Sequence, residues 1–352
     1  MPDLPLLKHP SSYRACIQDL LEDARARDYW LKLFEEHVQT LARLPVGEGH
    51  LETQPAWPEF KGDYLNGLAE LRRQPALRGR LTVLELTIYR DEKLRILGLA
   101  DPFKKLKDRE NALALRTLPE LLREVDASPK EQLCDMLARG LFAGNTFDMG
   151  SRAVVEAFEA GTFDFHAARR TVRPRPWPVD DLDHWKRRME HGPSYRQCLF
   201  FVDNAGCDIV LGVLPLVREL LRRGTRVVLA ANSMPSLNDI TVDELHDLLI
   251  QASRLDPVIS GVRRDGRLAT VGSGCGSPLI DLSKLSDQCC QAAAASDLLI
   301  IEGMGRAIES NYDAAFSVDT LKIALIKDQM VASILGVRLF DPIWRFEQAA
   351  RE

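Results

Sequence analysis

No apolar run in the chain approaches the roughly 20 residues that a membrane-spanning helix requires. The amino-terminal stretch MPDLPLLKHPSSY also lacks the basic segment followed by an apolar one that marks a secretory leader. A cytoplasmic protein with no membrane attachment is therefore expected. Excess positive charge is missing too: 46 Lys and Arg face 51 Asp and Glu, for a net charge of −5, which excludes the basic footprint of a nucleic-acid binder. An anionic substrate would need a local positive site. Cysteine is sparse, with seven residues at 16, 134, 198, 207, 275, 289 and 290 and no C-x-x-C. Neither a disulfide framework nor a thiolate zinc cluster follows, and these cysteines read as reduced residues of an intracellular core.

Several catalytic signatures are absent as well. There is no G-x-x-x-x-G-K-[ST], no H-E-x-x-H and no G-x-S-x-G, which removes P-loop, zincin and α/β-hydrolase chemistry. No cysteine is followed six residues later by arginine, and no strand ends in Asp-x-Asp, so two familiar phosphatase arrangements lack their nucleophiles. The glycine run Gly272-Ser273-Gly274-Cys275-Gly276-Ser277 is not a dinucleotide fingerprint, because Ser277 stands at the third glycine and Pro278 follows. It reads as a tight turn, or as a nest of backbone amides for an anion.

What remains is a globular composition, 45% hydrophobic over 352 residues, organised around the stretch Cys198 to Asp239. Its first five residues, CLFFV, predict a buried strand ending on Asp203-Asn204. Apolar residues from Val210 to Leu221 recur at helical spacing, and Gly224 closes that helix. Thr225 to Ala231 predicts a second strand, ending on Asn232, with Asp239 and Thr241 opening another helix. In a right-handed βαβ unit both strands run parallel, so Asp203, Asn204 and Asp239 emerge on one sheet edge. Two carboxylates and an amide carbonyl suit a hard divalent cation; the alternative is a turn at Asp203-Asn204 and a helix cap at Asp239.

The remainder alternates in the same way. Short strands are predicted at Leu268 to Val271, Asp297 to Ile301, Leu321 to Ile326 and Val337 to Phe340, with helices at Leu285 to Ala295 and Gln329 to Leu335. The expected fold is α/β, a doubly wound and mostly parallel Rossmann-like sheet. Residues 1–175 predict a mostly helical amino-terminal region or cap, with helices at 12–25, 29–44, 61–71, 77–99, 107–124 and 129–141; residues 176–352 form the metal-binding core. The proline-rich segment 171–183 reads as a linker. The lysine-rich segment Asp101 to Asn111 reads as a solvated loop, whereas Gly144-Asn145-Thr146-Phe147-Asp148 sets polar residues directly after an apolar helix end.

Strand 297–301 runs into Glu302-Gly303-Met304-Gly305-Arg306, where glycines admit a close ligand and the arginine can grip an anion in bidentate fashion. Lys322 and Lys327 flank the next strand as candidate point charges. A metal clasp beside cations suits a phosphate monoester, since the ion polarises phosphoryl oxygens and lowers the pKa of a water.

The segments Asp203-Asn204-Ala205-Gly206, Asn232 through Asn238-Asp239 and Glu302-Gly303-Met304-Gly305-Arg306 resemble the metal-dependent damage-control phosphatases, a family long known as a domain of unknown function. The Glu-Gly-Met-Gly-Arg motif is similar to the branch containing the phosphatase domain of pantothenate kinase 4. The likeness extends to Gly144–Asp148, Leu279–Ser283 and Asp319–Lys322, and runs from about residue 60 onward. Another branch carries arginine where Asp319 stands. The resemblance implies a divalent ion (Co, Ni, Mn or Mg) held by Asp203, Asn204 and Asp239, a substrate loop at Glu302, Gly303, Met304, Gly305 and Arg306, and a phosphate-binding Lys322. Asn145, Asp148, Asn232 and Ser273 are further expected substrate contacts. Asp208 is either the proton acceptor for an attacking water or a helix cap, and attack by Asp203 itself is the rival to water. The implied substrate is a small phosphorylated metabolite: 4′-phosphopantetheine or its oxidised or damaged forms, with sugar phosphates as the alternative within the family. A non-catalytic phosphometabolite-binding protein is the competing class, and a homo-oligomer is compatible with everything in the sequence.

Overall fold

The computed structural model describes residues 3–146 and 164–350. Seven strands form one sheet: β1 (Val179–Asp180), β2 (Gln197–Phe201), β3 (Arg226–Ala231), β4 (Leu268–Gly272), β5 (Leu298–Glu302), β6 (Asp319–Leu325) and β7 (Pro342–Glu347). Their order is β1-β7-β6-β5-β2-β3-β4. All neighbours are parallel except β6 and β7. Strand β2 lies inside the sheet and every one of its residues is buried, which is why Cys198 to Phe201 read as an unbroken apolar run rather than an alternating one.

The chain steps outward from β2 through β3 to β4, then crosses back to β5 on the other flank of β2. The order therefore reverses between β2 and β5, and ligand sites of open α/β sheets lie at such a switch point, beyond the carboxyl ends of the strands.

Side chains alternate between two cores. Cys198, Phe200, Leu298 and Ile300 face one, with Leu118, Leu141 and the helix Leu214–Arg222. Leu199, Phe201, Leu299 and Ile301 face the other, with the amino-terminal helices α1 (Ala24–Ala42), α2 (Trp57–Arg73) and α3 (Val83–Ile96). Helices α4 (Lys104–Ala127) and α5 (Lys130–Thr146) follow. The amino-terminal half thus contributes to both faces of the sheet, covering it rather than standing apart from it.

Four expectations are corrected. Residues 12–23 form no helix; this segment is spent on the far half of the chain, with Cys16 N–H donating to Ser310 O at 3.0 Å and Ile17 N–H to Glu309 O at 2.8 Å. The first helix begins at Ala24, where the Asp23 side chain accepts from Ala26 N–H at 2.9 Å. Val337–Phe340 is not a strand: Gly336 is left-handed, Phe340 has φ of 62°, and the chain turns here before β7, whose Ile343, Trp344 and Phe346 are buried. The segment 171–183 is no linker, since Trp177 is buried and Val179–Asp180 pairs with Ile343 and Trp344. Asp101 to Asn111 is not a solvated loop either: it is helical from Lys104, and although Lys104, Lys105, Asp108 and Arg109 are exposed, Lys107 is 0% exposed and pairs with Asp101 at 3.0 Å and Glu244 at 2.9 Å.

Candidate active site

The loops that leave β2 and β3 are fastened to each other. Ala205 N–H donates to Asn238 O at 2.9 Å, Ile240 N–H to Asp203 O at 3.1 Å, and Asn204 and Asp239 form an isolated antiparallel bridge. Asp203, Asn204 and Asp239 therefore do meet on one sheet edge, as the βαβ pattern predicts. From the opposite flank, Glu302 at the end of β5 accepts the Asp203 N–H through Oε2 at 3.0 Å. Gly303, at φ +102°, follows at once, and a Cβ there would stand 2.4–2.6 Å from the Asp203 carboxylate atoms. A side chain at Gly305 would strike Pro278 O at 2.4 Å. Both glycines of the Glu-Gly-Met-Gly-Arg motif are thus demanded by close approach.

Behind Asp203 lies a second layer. Carboxylate oxygens of Asp203, Asp208 and Glu302 lie within 4.8 Å of one another, a set that could hold a metal ion. Asn145 Nδ2 stands among them, 3.4 Å from Asp203 Oδ2 and 2.9 Å from both Asp208 Oδ2 and Glu302 Oε1. Asn204 Nδ2 donates to Asp203 Oδ2 at 2.8 Å and to Asp208 Oδ2 at 2.9 Å. Asp208 Oδ1 and Asn145 Oδ1 are buried without a hydrogen-bond partner among the described residues. Orphaned oxygens in an all-oxygen donor set fit a hard divalent cation.

Crowding shifts these acids. Burial, then the Asp203 charge, pushes the Asp208 carboxyl up to about 6. Burial pushes Asp239 up to about 7 against the opposing pull of Arg306, and burial with Asp208 and Asp203 raises Glu302 well above the usual range.

Arg306 occupies a place the sequence did not suggest. Its Nη1 donates to Asp203 Oδ1, and its Nη2 to Asp239 Oδ2 at 2.7 Å and Asn232 Oδ1 at 2.9 Å. At 1% exposure it is not among the residues lining the cavity above, and it stands between the two aspartates. Lys322 is likewise outside the cavity lining. It is fully buried, donating to the carbonyls of Tyr312 and Ala314 at 2.7 Å each, with Glu347 3.3 Å away. Asp208 makes no helix-cap hydrogen bond and is not among the cavity-lining residues: its Oδ2 receives the backbone and side-chain N–H groups of Asn204. Asn232 donates to Asp239 Oδ2 at 3.0 Å, while Ser273 is buried against Cys275 and outside the cavity lining. Asp148 lies outside the described residues.

Above the clasp opens a cavity of about 540 Å³ with Asp203, Asn204, Asn238, Asp239, Met304 and Gly305 among its lining residues. Its cations are Arg90 and Lys327, and Trp30, Leu33 and Phe34 of α1 supply an apolar wall. Sequence reasoning missed Arg90 and this wall, and gave Asn238 no role beyond its place in the Asn232 to Asp239 segment. Arg90 is held by Asp91, with Nε 2.7 Å from Oδ1, and Asn238 Nδ2 is buried without a hydrogen-bond partner among the described residues. The sequence carries little signal for Arg90, which stands beside Asp91 in a helix that also carries Glu85, Glu92, Lys93 and Arg95.

The profile of the damage-control phosphatase ARMT1-like domain matches residues 10–343. An Arabidopsis thaliana damage-control phosphatase is 37% identical over 99% of this chain and 96% of its own length. A Mus musculus protein named 4′-phosphopantetheine phosphatase is 36% identical over 98% of this chain but 48% of its own length, and an Arabidopsis thaliana pantothenate kinase 2 is 37% identical over 97% and 41%. The chain thus spans less than half of these last two relatives. A crystal structure of a DUF89 family protein from Pyrococcus horikoshii shares the fold, with a TM-score of 0.63 at 17% identity, covering 92% of this chain and 97% of its own.

Proposed function

The chain belongs to the damage-control phosphatase ARMT1-like domain family, and on that premise we propose that it hydrolyses small phosphate monoesters with the help of a divalent metal ion. The observation that carries this reading is the convergence of Asp203, Asn204 and Asp239 on the floor of one cavity whose lining also holds Arg90 and Lys327. These three residues would hold the ion, Asp203 being shared with the acidic trio behind it, because a substrate entering the cavity can reach them; Arg306 would yield Asp203 Oδ1 and Asp239 Oδ2 to the ion. Co, Ni, Mn or Mg suits such oxygen donors. The ion would polarise the phosphoryl oxygens and lower the pKa of a water.

The chain's own residues supply the rest. Arg90 and Lys327 offset the negative charge of the phosphate, and the Asn238 amide offers a donor into the cavity. Arg306 keeps Asp203 and Asp239 in register, Asp208 and Asn145 orient Asn204 and Asp203, and Glu302 fixes the Asp203 backbone. The apolar wall from α1 excludes water and receives the organic part of the ester. The preferred substrate is 4′-phosphopantetheine or its oxidised or damaged forms, supported by the name of the mouse relative and by the apolar wall that the cavity carries beside its polar floor. A sugar phosphate fits that wall less well.

Purified protein assayed on p-nitrophenyl phosphate and on 4′-phosphopantetheine, with each metal and with chelator, tests the reading. Metal-dependent release of phosphate, abolished in Asp203→Ala and Asp239→Ala proteins that still unfold cooperatively, is the expected result. Binding without turnover under every metal would overturn it in favour of a metabolite-binding protein.

A further inference from the structure

One acid in the cavity has no part in the chemistry above. Glu309 closes the π-helical turn Met304–Glu309, the same element that carries Gly305 and Arg306, and it lines the cavity together with Val83, Leu279 and the α1 wall. It is 7% exposed, and its Oε2 is buried with no hydrogen-bond partner among the described residues. Every other carboxylate lining the cavity is engaged. Asp203 and Asp239 are held by Arg306. Asp328 accepts the Met330 and Val331 amides at 2.8 and 3.0 Å through Oδ1 and the Tyr29 hydroxyl at 2.7 Å through Oδ2. Glu36 pairs with Lys32 at the surface.

A carboxyl group removed from water and left unpaired is costly to maintain, so an oxygen in this state points to a partner that the chain does not itself provide. Its backbone is pinned, since Glu309 O accepts Ile17 N–H at 2.8 Å, so the side chain is presented from a fixed point. Burial, with the Asp328 and Asp203 charges behind it, pushes its carboxyl up to about 8. Near neutral pH the group is then uncharged and can both donate and accept, which suits an amide or a hydroxyl and disfavours an ammonium group.

We propose that Glu309 is a specificity-determining residue that pairs with an amide or hydroxyl group on the organic arm of the phosphate ester, while the apolar wall of α1 receives the methylene portions. This rests on the reading of the cavity as a phosphomonoester site. A recognition group of this kind discriminates strongly, because a substrate lacking the polar group leaves the buried carboxyl unpaired. The enzyme is thereby matched to esters of a flexible chain that carries polar groups at intervals.

The test compares 4′-phosphopantetheine with an alkyl phosphate of the same chain length. Wild type should favour the former by about 10- to 100-fold in kcat/KM. In Glu309→Leu that ratio should fall toward one, mainly through KM, whereas Glu309→Gln, which keeps a donor and an acceptor, should retain most of it. Thermal midpoints of both variants establish that they are folded. A wild-type ratio near one, or a ratio that survives in Glu309→Leu, overturns the assignment. Absence of turnover on every ester, aryl phosphate included, removes the phosphatase reading itself and the assignment with it.

Discussion

Arg306 Nη2 lies 2.7 Å from Asp239 Oδ2, and the two side chains are only 1% and 2% exposed. The same guanidinium holds Asp203 on its other arm, so one buried cation is shared by two acids that line the cavity. Removing the cation strands both carboxylates in a low-dielectric interior, which is far more costly than never having buried the group.

Arg306→Gln should therefore lose on the order of 3–5 kcal/mol of stability in the absence of metal. A divalent ion can substitute for the lost charge, so the rise in thermal midpoint on adding Mn should exceed that of wild type. Scanning fluorimetry with Mn and with chelator measures both. Equal midpoints for variant and wild type without metal would show that the clamp contributes nothing to the fold.

The raised acids give a pH dependence of definite sign. Folded values of about 7 for Asp239 and about 6 for Asp208 lie above the ordinary aspartate value of about 3.9. Such groups stabilise the fold in their protonated form, so their contribution is complete below about pH 4 and is lost as pH rises through about 6 to 7. Metal-free stability should fall between pH 5 and 8 more steeply in wild type than in Asp239→Asn, read from urea midpoints with chelator present. Metal binding should expel protons in the same window, which calorimetry in buffers of different ionisation enthalpy detects. Identical slopes in the two proteins would mean that Asp239 does not titrate there.

The two lysines around β6 should separate cleanly. Lys322→Met leaves the Ala314 carbonyl without its Lys322 donor and the Tyr312 carbonyl to Arg345, so it should cost about 1–3 kcal/mol of stability while KM for an aryl phosphate stays near that of wild type. Lys327→Met, which alters the cavity lining, should lower kcat/KM by about one to two decades, the equivalent of a charge-assisted contact of about 1.5–3 kcal/mol. A kinetic loss confined to Lys322→Met would return the phosphate contact to that residue.

The floor of the site was legible because it obeys local rules. A buried strand, a helix and a second strand place Asp203, Asn204 and Asp239 on one edge whatever surrounds them, and the family resemblance singles out the same three. What surrounds them was not legible. Arg306 has the composition of an anion grip, and only the approach of the β2 and β3 loops shows that protein carboxylates already fill its fork. Lys107 reads as solvated because its partners Asp101 and Glu244 come from a loop and a helix that meet only in three dimensions. Strand β7 was misplaced by a few residues because the Gly336–Asp341 turn is as apolar as the strand it precedes. Glu309 and the α1 wall escaped notice because an acid at a turn's end and a leucine on a helix face carry no signal until a cavity joins them.

The identity of the nucleophile is the last point the geometry bears on. Asp203 would have to spend a carboxylate oxygen on phosphorus to form an aspartyl-phosphate, yet Oδ1 accepts from Arg306 and Oδ2 from Asn204 at 2.8 Å and Asn145 at 3.4 Å. A carboxylate so engaged is a poor nucleophile, and water is expected to attack phosphorus directly. Single-turnover hydrolysis in ¹⁸O-labelled water should place label in the released phosphate and none in the protein. An aspartyl intermediate opened at its carbonyl carbon would instead label Asp203. Because such an intermediate can also be hydrolysed at phosphorus, the unlabelled protein must be accompanied by failure of hydroxylamine to trap an acyl phosphate during turnover. Label in Asp203, or a trapped adduct at that residue, would overturn direct attack by water.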